Sequence, residues 1–263
     1  MTGSLSDLTN RQAVLAAIDE FNTLGRAAFL DNYGYGPAKE YFLRYEGGYY
    51  DSKAICGAAI GHQYPDQGPL GSNEFSGGNN TVKKKLNDLG FAISKAPPTS
   101  VDELWEAIDS IRSYREGGKG VPHKRLLLLY ACRALVLEGR RSLALAALEQ
   151  ELDDLIVTFS DSSAGGAQDP LWRLQFDGLW EVTGDGTHLT DTHISNDPPP
   201  PGALLADGVT GALPDSLFEL LAGDSSLLEG VFERVANVFS AKALPAVRDW
   251  FFTGLEDQSE EFS

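Results

Sequence analysis

The chain is 263 residues long, 42% hydrophobic and 10% aromatic, with a formal net charge of −17. That suits one large domain or two ordinary ones with real cores, and no apolar run approaches the roughly eighteen residues a membrane span needs. Met1-Thr2-Gly3-Ser4 lacks the basic and apolar regions of a secretory signal, and Cys56 and Cys132 read as reduced core thiols rather than a disulfide, so a cytoplasmic protein is the simplest expectation.

The acid is unevenly spread. Residues 1–99 hold 9 Lys/Arg against 10 Asp/Glu, residues 100–140 hold 7 against 6, and residues 141–263 hold 5 against 22. A strongly acidic chain normally argues against nucleic-acid binding. The basic cluster Arg112, Arg115, Lys119, Lys124 and Arg125 nevertheless stands apart from the acidic half. A cationic strip on such a body binds anions modestly and with strong salt dependence.

In chain order, Asn10 to Phe21 reads as an amphipathic helix capped by Thr9 or Asn10, and Leu24 to Asn32 as a second helical stretch. Tyr41 to Tyr50 carries strand-like aromatics around Gly47-Gly48, a hairpin signal. Asp51 is placed to cap a helix through Ala59. Gly61 to Phe75 is a loop, and His62-Gln63-Tyr64 within it is either a ligand loop or plain filling. A helix from Thr81 to Leu89 and a strand at Phe91-Ala92-Ile93 close the first part, and Ala96 to Ser100 reads as a linker.

The second part opens with a helix from Val101 to Tyr114 and a Gly-basic loop from Glu116 to Pro122. Two long helices are expected over Lys124 to Glu138 and Ser142 to Thr158. Trp172 to Gln175 and Leu179 to Val182 read as strands joined by an Asp177-Gly178 hairpin turn. Asp197 to Pro201 is a rigid proline run, and two or three short helices fill Pro214 to Gly254. The expected fold class is α+β with two mixed domains. The boundaries are 1–95 for a small head, 96–100 for the linker, 101–255 for a helix-rich second domain and 256–263 for an acidic, disordered tail.

Two segments carry more than architecture. Pro122-His123-Lys124-Arg125 opens a very apolar helix, and Asp169-Pro170-Leu171-Trp172-Arg173 follows about forty residues later. Together they resemble the sulfur-binding domain of McrA-like type IV restriction endonucleases, which recognises DNA whose backbone carries a phosphorothioate. Tyr33-Gly34-Tyr35-Gly36-Pro37-Ala38, Tyr50-Asp51-Ser52-Lys53-Ala54-Ile55, Phe75-Ser76-Gly77-Gly78 and Leu89-Gly90-Phe91 resemble the head domain of the same enzymes. Lys53, Lys83, Lys84 and Lys85 are candidate backbone contacts or simply a solvated face.

The chemistry behind that resemblance is simple. Sulfur is larger and softer than oxygen and accepts hydrogen bonds poorly. A reader should therefore offer an apolar notch to the sulfur and cations to the remaining oxygen. Seating an ordinary phosphate oxygen in such a notch without a donor costs roughly 1–3 kcal/mol. A proline ring is rigid, apolar and lacks an N–H.

The resemblance implies that Pro170 floors the sulfur pocket and that His123 and Lys124 hold the modified phosphate at a helix N-terminus. It implies further backbone contacts from Arg115, Lys119 and Arg173 beside Asp169. The loop Thr192 to Pro198 would enter the major groove, with His193, Ser195, Asn196 and Asp197 near the bases. Asn can pair with adenine, and Asp can accept from cytosine N4. The chain departs from the family at Asp169, where tyrosine is usual, at Arg125, where proline is usual, and at the added prolines Pro199 to Pro201. On residue type alone, His123 is equally a capping or core histidine, Pro170 a strand entry, and Trp172 and Trp180 core residues.

The family's His-Asn-His nuclease needs a histidine-rich ββα metal site. His62, His123, His188 and His193 fall in no such pattern, so no catalysis, metal or cofactor is expected within these residues. The expectation is a reader of phosphorothioated double-stranded DNA in a restriction or phage-defence system, with cleavage supplied by a missing domain or a partner nuclease. Two alternatives stay open. One is a divergent reader of unmodified or otherwise modified DNA. The other is an acidic interaction or regulatory subunit that has lost DNA binding.

Overall fold

The computed structural model describes residues 4–111, 115–116, 119–120, 122–160, 166–224 and 226–253. The acidic tail at 256–263 lies outside the described residues. The fold is α+β and divides into two compact units, one of 1–96 with 187–195, the other of 97–186 with 196–263. The piece 187–195, read from sequence as part of the second domain, thus groups with the first.

In the first unit, α1 (Arg11–Leu24) starts at Asn10, whose side chain accepts from the Gln12 amide. Gly25 breaks the helix, and α2 (Arg26–Tyr33) follows. β1 (Phe42–Tyr45) and β2 (Gly48–Asp51) form the expected hairpin. Glu46 and Gly47 both have positive φ, 46° and 77°, as the two-residue turn that matches strand twist requires. α3 (Ser52–Gln63) comes next, then α4 (Lys84–Asp88) and β3 (Ala92–Ser94). The sheet order is β2-β1-β3, all antiparallel. α1 and α3 pack on each other, with Val14, Ala17, Ile18 and Phe21 at helical spacing facing Ile55, Ala58 and Ala59.

Two expectations change in this unit. Asp51 stands at the N-cap of α3 but makes no side-chain cap. Its buried carboxylate instead accepts from Arg26 Nε and Nη2 at 2.8 and 2.9 Å and from the Ala38 amide at 2.5 Å. His62-Gln63 ends α3 rather than lying in a loop. Gln63 accepts from the Thr9 and Asn10 amides, so this segment anchors the N-terminus. The head lysines are also engaged: Lys53 and Lys85 donate to the Ser72 and Ser6 carbonyls, and Lys84 pairs with Asp88.

The second unit is built around one helix. Its elements run α5 (Val101–Asp109), the short ladder β4 (Arg115–Glu116) and β5 (Lys119–Gly120), α6 (His123–Glu138), β6 (Ser142–Ala144), α7 (Leu145–Phe159), α8 (Gln168–Arg173) and β7 (Glu181–Gly184). β8 (Thr187–His188) belongs to the first unit, and α9 (Pro201–Leu204), β9 (Val209–Ala212), α10 (Asp215–Gly223), α11 (Leu227–Ala236) and α12 (Leu244–Phe252) complete the second. α6 packs against α7, α8, α10, α11 and α12. That follows from its sequence, because Leu126 to Leu129, Ala131, Cys132, Ala134 and Leu135 leave almost no polar face and all are buried. β9 runs antiparallel between β6 and β7.

Four sequence readings change in this unit. Ser142 to Ala144 is a strand, not the first turn of a helix; Leu143 is buried between two exposed neighbours, the alternation of a half-buried strand. The residues Trp172 to Gln175 are helical, continuing from α8 into a 3-10 turn at Leu174–Asp177. Pro170 is compatible with that because it sits in the first turn, where an amide has no helical partner. Asp177-Gly178 therefore ends a helical segment, with Gly178 left-handed at φ 78°, rather than turning a hairpin. The helix expected to reach Tyr114 ends at Asp109, and 112–114 lie outside the described residues.

Candidate nucleic-acid interface

The first turn of α6 carries the cationic cluster. Pro122 stands at the N-cap and offers no side-chain cap. The amide end of a sixteen-residue helix lies here, with its partial positive charge. His123 and Arg125 are each only 7% exposed, so both are held within the fold rather than extended into solvent. Burial pushes the Arg125 guanidinium below its ordinary pKa, while Asp177 and Asp109 push back. Arginine stays charged under such opposing influences.

Lys124 points to the segment after α8. Its Nζ lies 2.7 Å from Asp177 Oδ2, and the two side chains are 19% and 10% exposed. Asp177 ends the 3-10 turn that directly continues α8, and α8 itself packs on α6. Through Asp177 the first turn of α6 is linked to the segment that continues α8.

On α8, Pro170, Leu171 and Trp172 are buried and Asp169 is exposed. Trp172 packs edge-on against Phe176, with ring centroids 5.9 Å apart. Arg173 is clamped between two carboxylates, with Nε 3.2 Å from Asp169 Oδ1 and Nη2 2.8 Å from Asp197 Oδ1. The clamp ties α8 to the start of the proline run. Lys124, Arg125 and Arg173 are thus faced by Asp177, Asp169 and Asp197, and the neighbourhood is charge-compensated rather than plainly basic.

The remaining candidates lie on other segments. Arg115 and Lys119 stand in the β4–β5 ladder, opposite Gly120 and Glu116; their side chains lie outside the described residues. The proposed base-reading loop is divided. His193 and Ser195 group with the first unit, where the His193 amide donates to the Leu189 carbonyl at 2.8 Å. Asn196 and Asp197 are exposed residues of the second. Asp177 was missed by sequence reasoning as part of this neighbourhood. The sole signal for Asp177 was its Asp-Gly pair, which points equally to a hairpin. Among the described residues no group of three or more His, Cys, Asp or Glu could hold a metal ion, and no helix is long and apolar enough to cross a membrane.

Family models match both parts of the chain. Residues 6–95 match the family model of the ScoMcrA-like N-terminal head domain, and residues 101–247 match that of the ScoMcrA-like DNA sulfur-binding domain. No curated protein matches. Among solved structures, the chain is similar to the type IV phosphorothioation-dependent restriction endonuclease ScoMcrA, with 23% identity, a TM-score of 0.46, and coverage of 92% of this chain and 40% of that one. It is also similar to the sulfur-binding domain of ScoMcrA complexed with phosphorothioated DNA, with 20% identity, a TM-score of 0.46, and coverage of 61% and 98%. The chain thus spans about two fifths of the length of the full endonuclease (40%). The second family model alone takes in more than half of the sequence, and the chain belongs to the ScoMcrA-like DNA sulfur-binding domain family, with a ScoMcrA-like head domain preceding it.

Proposed function

We propose that this chain binds double-stranded DNA carrying a backbone phosphorothioate, as the recognition part of a type IV restriction or phage-defence system. The observation that carries the reading is the packing of α6 on α8 inside the matched sulfur-binding region, together with the Lys124–Asp177 pair that links the first turn of α6 to the turn continuing α8. In this reading, His123 and Lys124 hold the phosphate, with Arg115 and Lys119 on the flanking backbone. Pro170 supplies the apolar wall from within the fold. Asp169 and Arg173, lying on the outer side of the same helix, are met first by the ligand. Asn196, Asp197, His193 and Ser195 approach the bases. Cleavage belongs to a further domain or a partner nuclease, and the setting is the cytoplasm.

A second reading, a reader of ordinary or otherwise modified DNA, is favoured by one observation. Asp169, Asp177 and Asp197 compensate the cations that would hold a phosphate. Titration of matched duplexes with and without one phosphorothioate, at two salt concentrations, decides between them. Tight binding confined to the sulfur duplex is expected. Equal binding to both establishes the second reading, and binding to neither leaves an acidic interaction subunit.

A further inference from the structure

The seat that the proposed function assigns to a DNA phosphate already faces an anion of the protein's own. Asp177 Oδ2 lies 2.7 Å from the Lys124 ammonium, with both side chains at most one fifth exposed (19% and 10%). A pair so shielded is screened by salt far less than one in open solvent. The same carboxylate acts on the neighbouring Arg125 guanidinium. Its placement is built into the chain: Asp177 closes the 3-10 turn after α8, and left-handed Gly178 directly behind it turns the backbone away. A carboxylate offers what a phosphodiester offers, two acceptor oxygens sharing one negative charge.

We infer that Asp177 is a positioning residue that acts through Lys124, occupying the anion seat at the first turn of α6 as an internal competitor of the DNA phosphate. The inference rests on the DNA-reading function proposed above. Competition at the charged seat acts on an ordinary and a sulfur-bearing linkage alike, since both are monoanions. It therefore lowers the affinity for both and leaves their ratio unchanged. Its effect is a threshold: ordinary DNA, which has only the charge contact here, falls below useful occupancy, and a linkage with an additional apolar contact does not.

The test is Asp177→Asn in the full chain, with Asp177→Ser as a second variant and far-UV circular dichroism as the check on folding. Both duplexes should bind about tenfold more tightly, a gain of about 1.4 kcal/mol. Their ratio should stay that of the parent. The slope of log affinity against log salt should stay that of the parent, because Lys124 neutralises the same phosphate in both complexes. A purely structural role would not raise the affinity for both duplexes by the same factor. Inorganic phosphate provides an arm independent of DNA, because it should raise the melting temperature of Asp177→Asn more than that of the parent. If the parent binds neither duplex while Asp177→Asn still gains on inorganic phosphate, the DNA reading falls and the competitor stands. A folded variant that gains on neither duplex nor inorganic phosphate overturns the inference. So does failure of both variants to fold, which would make Asp177 a structural counter-ion.

Discussion

Arg44 Nη2 lies 2.8 Å from His188 Nδ1 within the first unit, and this contact sets the state of the imidazole. A guanidinium only donates, so Nδ1 must accept, and the ring is neutral with its proton on Nε2. Arg44 is 1% exposed, and its charge also lies over the Tyr49 ring. Replacing His188 by Phe removes the acceptor from a buried cation and should cost about 1–3 kcal/mol of stability. His188→Asn, whose amide oxygen can stand near the Nδ1 position, should recover part of that. Urea unfolding of the two variants checks the order, and equal losses would show that the acceptor is immaterial.

Gly211 lies against the Trp180 indole and the Leu145 side chain, leaving no room for a Cβ. Trp180 is 1% exposed and Leu145 fully buried, so neither can swing out to solvent. Gly211→Ala should therefore destabilise the second unit by about 1–3 kcal/mol through overpacking. The Trp180→Phe background, with its smaller ring, should relieve part of the loss, as measured by a double-mutant cycle.

Burial pushes the Cys132 thiol up to about 12, and burial likewise raises Cys56. The folded state thus keeps these protons at a pH where the unfolded chain releases them. The resulting stability is fully present below the unfolded value of about 9 and is lost as pH rises toward about 12. Neither thiol should react with iodoacetamide in the native protein at pH 8, whereas both should after denaturation. Modification of the native chain at the rate of a free thiol would contradict the burial.

Under the proposed function, Pro170 tests a sulfur contact separately from the charge contact. Pro170→Ala removes the ring but keeps a small apolar residue in the first turn of α8, which the fold should tolerate. Preference for the phosphorothioate duplex should fall by about five- to tenfold, equivalent to roughly 1–1.4 kcal/mol, while affinity for the ordinary duplex holds. An unchanged preference would place the sulfur away from this ring.

Local chemistry made much of this fold legible. Gly47-Gly48, the Asn10 cap and the all-apolar stretch from Leu126 each specify their element within a few residues. The failures share a cause. Asp177-Gly178 suits a helix end as well as a hairpin, and only the packing of Trp172 and Leu174 decides between them. Asp51 could cap a helix, but Arg26, 25 residues earlier, claims its carboxylate. At the candidate interface, Lys124 and its lysine-like promise were plain in the sequence. Its partner, 53 residues away, was not, because no local rule links an ammonium to a distant carboxylate.

The central position of α6 also bears on how such a reader can diversify. A helix enclosed by five others tolerates little drift, so its first turn is held in nearly fixed register by the whole interior. New target preferences would then arise by exchanging residues on the surrounding segments, α8 and the 196–198 stretch, around a pivot that stays put. A library confined to those peripheral positions should keep far more folded members than one of equal size spread along 126–135.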